Sequence, residues 1–321
     1  MLLKREDQNP TGSHKDRAAE AQVRACREAG DGAVVLSSSG NAAIASARAG
    51  RLQGLNVYAF LSERTPASKV QAVLDHGATV LLGKKPKNLA TFISRGFKLS
   101  NLRPSACDIS IEGFRSLGRE LVQRWETHRD FDSVFQFSSS GSSLIAVGLE
   151  LARTFPAPSL HAVQAGAVCP IAAPDDEAAR LGAAPTTGAL CASKTPRSAD
   201  ARRLLAALGG RGWIMTDAEV DAAGAELEQS GRAVAREAAA ALAAADRAIR
   251  TGAVTRPLVV LTGKAPAVTS PWRGEHPRLH RISDHKTARQ FFLEEQAGGR
   301  LERRRPGDEP GAGAGSWRRS A

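Results

Sequence analysis

Cysteine, methionine and tyrosine are scarce in this 321-residue chain: four, two and one. The cysteines, Cys26, Cys107, Cys169 and Cys191, lie far apart and form no C-x-x-C pair. That argues against a disulfide framework and a metal site, and makes reduced, buried thiols the expectation. Long apolar runs are missing too. The longest, Ala238–Ala245, falls far short of the roughly 20 residues a membrane-spanning helix needs. The opening MLLKRED lacks the apolar core of a signal peptide, so a cytoplasmic protein with no membrane partner is expected. No G-x-G-x-x-G occurs, which disfavours a nucleotide-binding Rossmann protein. The few aromatics are not interleaved with basic residues in the manner of RNA-binding surfaces. The charge of +11 is spread out, with part of it in the final GGRLERRRPGDEPGAGAGSWRRSA. Such an excess is unspecific by itself, and no nucleic-acid partner is expected.

What is present is an alternation of strands and helices. Ala33–Leu36, Asn56–Ser62, Ala78–Leu82, Ser133–Phe137, Leu160–Ala165 and Pro257–Lys264 are short apolar runs that predict buried strands. Between them, helices are predicted over Lys15–Ala29, Ala42–Leu52, Pro66–His76, Glu112–Trp125, Thr216–Ser230 and Ala233–Ile249. Strands alternating with helices imply parallel sheets with right-handed crossovers. Residues 84–108 and 169–214 are weakly patterned. From Pro271 onward Gly, Pro and Arg dominate, and a disordered tail is expected, with Ala288–Gln296 as a local helix. The expected division is 1–130, an N-terminal α/β domain, 131–270, a second α/β domain, and 271–321, the tail.

Three loops share one plan: a strand or turn, small polar residues, then a helix start. In NPTGSHKDRAA the Pro-Thr-Gly-Ser turn, with Ser13 as a candidate N-cap, delivers Lys15 into a first helical turn. The positive end of the helix dipole disfavours an ammonium there. His14 is expected to pack or face solvent. SSSGNAA follows the first predicted strand, and SSSGSS, Ser138–Ser143, follows a later one. The latter is the best phosphate cradle, because its backbone N–H groups would sit at a helix N-terminus.

These motifs, in the order KREDQNPTGSHKDRAA, SSSGNAA, SSSGSSLIAVG and VVLTG, resemble the threonine synthase-like family of pyridoxal-phosphate enzymes, in the tryptophan synthase β fold group. The resemblance runs from about Leu3 to Lys264. It implies an α/β fold of two parallel-sheet, three-layer domains (fold type II) with pyridoxal 5'-phosphate in the cleft between them. Carried onto this chain, it implies that Lys15 condenses with the cofactor aldehyde and later acts as base. Asn41 would bond the ring hydroxyl, and Ser38, Ser39, Gly40 and Asn41 would bind substrate. Ser139, Ser140, Gly141, Ser142 and Ser143 would hold the phosphate, and Thr262 would face the pyridine nitrogen. Family members usually carry an aromatic where His14 stands. They also have several dozen residues before the lysine, supplying a first strand and part of the sheet. About a dozen precede Lys15 here, so a late start or a truncation is expected.

The function implied is a lyase acting on a small amino acid, most like threonine synthase. A threonine or serine dehydratase, or a cysteine synthase-like enzyme, is the alternative. A non-catalytic relative with a binding role is the alternative of another class. A homodimer is left open.

Overall fold

Apolar runs separated by amphipathic segments build two five-stranded sheets in which every strand pair is parallel. The structure, a computed structural model, describes residues 1–38, 40–165, 169–172 and 195–302. Ser39 and Cys191 lie outside the described residues. In chain order the elements begin β1 (Leu2–Arg5), α1 (Lys15–Glu28), β2 (Ala33–Ser38), α2 (Asn41–Gln53), β3 (Asn56–Ser62), α3 (Ala67–Asp75), β4 (Thr79–Gly83), α4 (Pro86–Phe97), β5 (Ser100–Asn101) and α5 (Ile109–His128). They continue with β6 (Ser133–Phe137), α6 (Ser142–Leu151), β7 (Ser159–Ala165), α7 (Ser198–Ala207), β8 (Gly212–Met215), α8 (Asp217–Gln229), α9 (Arg236–Arg250), β9 (Pro257–Leu261), β10 (Leu279–Arg281) and α10 (His285–Ala297).

One sheet has the order β10-β4-β3-β2-β5, the other β1-β9-β6-β7-β8. The two-residue period of a strand sends alternate side chains to opposite faces, and both faces are covered. In the first sheet Val34, Leu36, Val57 and Ala59 join one core, while Val35, Tyr58 and Phe60 join the other. In the second, Phe135, Val163 and Val259 face the core under α8 and α9, and Val134, Leu160 and Leu258 face the core under α5, α6 and α7. Each sheet is therefore the middle of three layers. Helix α1 packs on both α2 and α5. Its approach to α5 needs a glycine, because a Cβ on Gly113 would lie 2.4 Å from the Arg17 carbonyl oxygen.

Strand pairing crosses the boundary expected at residue 130. Leu2–Arg5 pairs with Leu258–Leu261 in the second sheet, and Leu279–Arg281 pairs with Val80–Leu82 in the first, so each end of the chain crosses to the other sheet. The short lead-in nonetheless supplies a strand. The expectation of disorder from Pro271 is corrected as far as residue 302. There β10 extends the first sheet and α10 covers it, with Phe292 fully buried among Tyr58, Phe60 and Phe97. The Tyr58 hydroxyl donates to the Glu295 carboxylate, which also accepts from Arg300 at 2.6 Å. Helices α4 and α7 and strand β8 stand in segments whose composition showed little pattern. The helix expected from Thr216 opens on a capping box: the Thr216 N–H donates to Glu219 at 2.9 Å, and the Glu219 N–H donates back to Thr216 Oγ1 at 3.4 Å. Cys26 and Cys107 carry free thiols. Among the described residues no helix is long and apolar enough to cross a membrane, and no cluster of metal-ligating side chains occurs.

Because Phe292 fills a closed aromatic cluster, F292A is expected to destabilise the fold by about 3–5 kcal/mol. A urea unfolding midpoint equal to wild type would show that α10 is not part of the core.

Candidate active site

The site begins where β9 ends. Thr262, Gly263 and Lys264 run alongside the turn that precedes α1. The Lys264 N–H donates to the Gly12 carbonyl at 2.9 Å, Ser13 bridges Gly263, and the His14 N–H donates to the Thr262 carbonyl at 3.0 Å. The same carbonyl lies 2.8 Å from His14 Nδ1. A carbonyl only accepts, so Nδ1 carries the proton. His14 is 7% exposed and stacks on Phe114 with centroids 5.3 Å apart. Burial first, then the Lys15 charge, holds its pKa well below 6.5, so the ring is neutral and Nε2 is a bare acceptor. Lys15 Nζ lies 2.8 Å from that Nε2 and 5.2 Å from the centre of the Phe114 ring. Burial lowers the Lys15 pKa to about 8, opposed by the charge of Glu237.

The turn is pinned from its other side by a buried ion pair. Arg17 grips Glu6 through two bonds of 2.7 and 2.8 Å and also reaches Glu120. Glu6 is fully buried and also accepts from Asn9 at 2.8 Å. Asp16, in the first turn of α1, accepts the Thr11 N–H at 2.9 Å. The expected N-cap at Ser13 is corrected by one position: His14 is the capping residue without a side-chain cap bond, and Ser13 Oγ accepts the Lys15 N–H at 3.3 Å.

Asn41 opens α2 and comes close to this turn. A Cβ on Gly263 would lie 3.2 Å from Asn41 Nδ2 and 3.4 Å from Ser13 Cβ. Lys15, Thr262 and Asn41 thus converge across the two sheets. Ser38 Oγ accepts the N–H groups of Gly40 (3.0 Å) and Ala43 (3.3 Å), so the Gly40 N–H is already engaged. Gly40 has φ +130°, and the stem of Lys69 from α3 lies over it, 2.4 Å from where a Cβ would stand. Lys69 is also lowered in pKa by burial, with Glu237 opposing.

The Ser138–Ser143 loop leaves the end of β6, the strand hydrogen-bonded to β9, so it opens on the same sheet edge as Thr262. Gly141 takes φ +84°, which a side chain would strain, and no side chain caps the first turn of α6. Ser142 Oγ donates to the Pro104 carbonyl at 3.0 Å, and Ser143 Oγ accepts from Gln136 at 2.8 Å. Those two hydroxyls are therefore committed to the protein, while Ser139 and Ser140 are half-buried. Thr262 is 4% exposed. Sequence reasoning missed Phe114, Lys69 and Glu237, and assigned His14 no task. Only His14 carried a signal, its place beside the lysine. The others reach the site from α5, α3 and α9.

The lysine leaves a stability signature. In the unfolded chain Lys15 has its ordinary pKa of 10.5, against about 8 when folded. Below about 8 both states bind the proton, and the fold carries the full cost of a buried ammonium. Between about 8 and 10.5 the unfolded chain binds more protons, so stability rises with pH and the cost is relieved. K15M in the cofactor-free chain is therefore expected to be more stable than wild type at pH 7 by roughly 1–3 kcal/mol. The gap should narrow as pH rises through that window. A pH-independent difference in urea unfolding would refute it.

The chain is similar to several known proteins. Threonine synthase of Methanosarcina acetivorans is 28% identical over 279 residues, covering 80% of this chain and 67% of that one. The biosynthetic L-threonine dehydratase of Haemophilus influenzae is 29% identical over 161 residues, 49% of this chain and 31% of that one. The chain thus spans 31% of the dehydratase's length and 67% of the synthase's. Among solved structures, the processed threonine deaminase isoform 2 of Solanum lycopersicum superposes with a TM-score of 0.70 at 22% identity, over 82% of this chain and 74% of that one. Maize serine racemase gives 0.68 at 19%, over 92% and 88%. At these identities the likeness shows the fold, and it is the type II fold that the motifs implied. The model of the pyridoxal-phosphate dependent enzymes matches residues 1–263, through the lysine turn, both serine loops and β9, and so the chain belongs to that family, whose cofactor is pyridoxal 5'-phosphate.

Proposed function

We propose that the protein is a pyridoxal-phosphate-dependent lyase acting on a small amino acid by elimination or replacement, most like threonine synthase, converting O-phosphohomoserine to threonine. The observation that carries this reading is the buried Lys15 amine, with its pKa near 8, held on His14 at the edge where Thr262 and Asn41 meet.

The residues present fit the cofactor. The slot beside Gly263 that a Cβ would fill lies between Asn41 and the lysine turn. The first turn of α6, uncapped and led by Gly141, offers N–H groups to a phosphate. Lys15 would hold the cofactor covalently, Asn41 would bond its ring hydroxyl, and Ser139, Ser140, Gly141, Ser142 and Ser143 would surround its phosphate. Of these, Ser142 and Ser143 would contribute backbone N–H groups. When bound, pyridoxal phosphate supplies an electron sink to the substrate's Cα. Thr262 would offer the ring nitrogen a neutral hydroxyl, which keeps that sink modest and suits reactions in which a leaving group carries electrons away.

The remaining work belongs to the chain. A lysine with a pKa of about 8 has a usable fraction of free amine at neutral pH, which lets Lys15 take a proton from Cα and return it. Ser38, Gly40 and Asn41, with Ser39, would bind the substrate carboxylate, the Gly40 N–H then exchanging its bond to Ser38 Oγ for one to the substrate. The stem of Lys69 over that loop brings a second cation to the site, which supports an anionic substrate such as a phosphate ester. A threonine or serine dehydratase is the second reading, favoured by the identity to L-threonine dehydratase.

The assay follows from these alternatives. Phosphate and threonine released from O-phosphohomoserine support the first reading; ammonia and a 2-oxo acid from threonine support the second. K15A is expected to lower either turnover by at least about 10²–10⁴-fold. Wild-type-like turnover in K15A, or borohydride failing to fix the cofactor on the peptide containing Lys15, would overturn the site.

A further inference from the structure

We infer that His14 is the positioning residue of the reactive lysine: its bare Nε2 takes one N–H of the Lys15 amine and so holds the amine in place with its lone pair turned away from the imidazole. This rests on the reading of Lys15 as the cofactor-bearing lysine.

The inference follows from a count of donors and acceptors. The Thr262 carbonyl accepts from both the His14 N–H (3.0 Å) and His14 Nδ1 (2.8 Å). Two donors use both lone pairs of that oxygen, and the ring proton is locked on Nδ1. Nε2 is then left with nothing to donate, yet Lys15 Nζ stands 2.8 Å away. A neutral amine has two N–H groups and one lone pair, so the contact must be N–H to Nε2, and the lone pair points elsewhere. Stacking on Phe114 fixes the ring plane, so the acceptor does not drift. The packing alone does not need a histidine, since phenylalanine would stack as well and the Thr262 carbonyl would keep the backbone N–H of residue 14.

Other charged groups that face the pair are accounted for. Arg17, on the same helix, is satisfied by Glu6 and Glu120. Glu237 of α9 acts on Lys15 and is itself pulled down by Lys69 of α3 and by Arg236, and Phe114 of α5 is apolar. The Nε2 contact also stabilises the ammonium form, so its removal lowers the Lys15 pKa while leaving the amine unaimed.

Orientation and protonation therefore push in opposite directions, which makes the role separable. Cofactor is stripped from full-length wild type, H14F and H14Q. Each is remixed with pyridoxal phosphate, and borohydride-fixed cofactor on the peptide containing Lys15 is followed with time. The midpoint of Lys15 acetylation against pH is measured in the cofactor-free chains by competitive labelling. H14F is expected to capture cofactor about ten-fold more slowly, although its Lys15 midpoint falls below the wild-type value. H14Q offers an amide N–H to Thr262 and an oxygen to Lys15, and is expected to return to within about three-fold of wild type. Capture in H14F as fast as wild type or faster overturns the inference, as does an H14Q as slow as H14F. If wild type itself is not trapped on Lys15, the proposed function falls, and this inference with it.

Discussion

The Thr262 carbonyl is the fixed point of the molecule's chemistry. It stands at the end of a strand that is buried in the second sheet, and it receives both the backbone N–H and the ring N–H of His14. Through those bonds the rigidity of the sheet passes to a turn that would otherwise be a surface loop. Gly12 and Ser13 lie along Gly263 and Lys264 on one side, and the Glu6–Arg17 pair holds the other. A lysine side chain has four rotatable bonds, and its amine is useful only where it is confined. Here the confinement is built from two elements separated by almost the whole chain.

That confinement has an electrostatic cost, and the fold uses the cost. Lys15 is placed at the positive end of α1, against an aromatic ring and an uncharged imidazole, where an ammonium is poorly solvated. The resulting depression of its pKa makes it a usable base near neutrality. Glu237 limits the effect. It enters from the first turn of α9, where its own burial raises its pKa and Lys69 and Lys15 pull it back down. Two lysines and one carboxylate, all shifted toward their neutral forms by burial, therefore share the site.

The two serine loops illustrate how a motif can be right in place and different in detail. Both stand at strand ends, and both open helices, as their composition implied. Yet Ser38 spends its hydroxyl on the N–H groups of Gly40 and Ala43, and Ser142 and Ser143 spend theirs on Pro104 and Gln136. Hydroxyl-rich composition thus marks the loops, while backbone N–H groups remain to meet a phosphate. Which hydroxyl is free depends on neighbours such as Pro104, distant in sequence, and no local pattern encodes that.

The sequence alone determined the local features: the strand runs Asn56–Ser62 and Ser133–Phe137, the helices that start at Lys15 and near Thr216, and the lysine turn with its two serine loops. These are legible because they depend on side-chain periodicity and turn chemistry within a few residues. Tertiary structure decided the rest. Leu2–Arg5 and Leu279–Arg281 each complete the sheet at the other end of the chain, and a few apolar residues, Phe292 above all, order a segment whose composition suggested disorder. The role of His14 was decided in the same way, because one ring nitrogen meets a carbonyl 248 residues away and the other is thereby left as an acceptor. A burial partner or a hydrogen-bond partner is a property of three-dimensional neighbours, and sequence spacing carries no record of it.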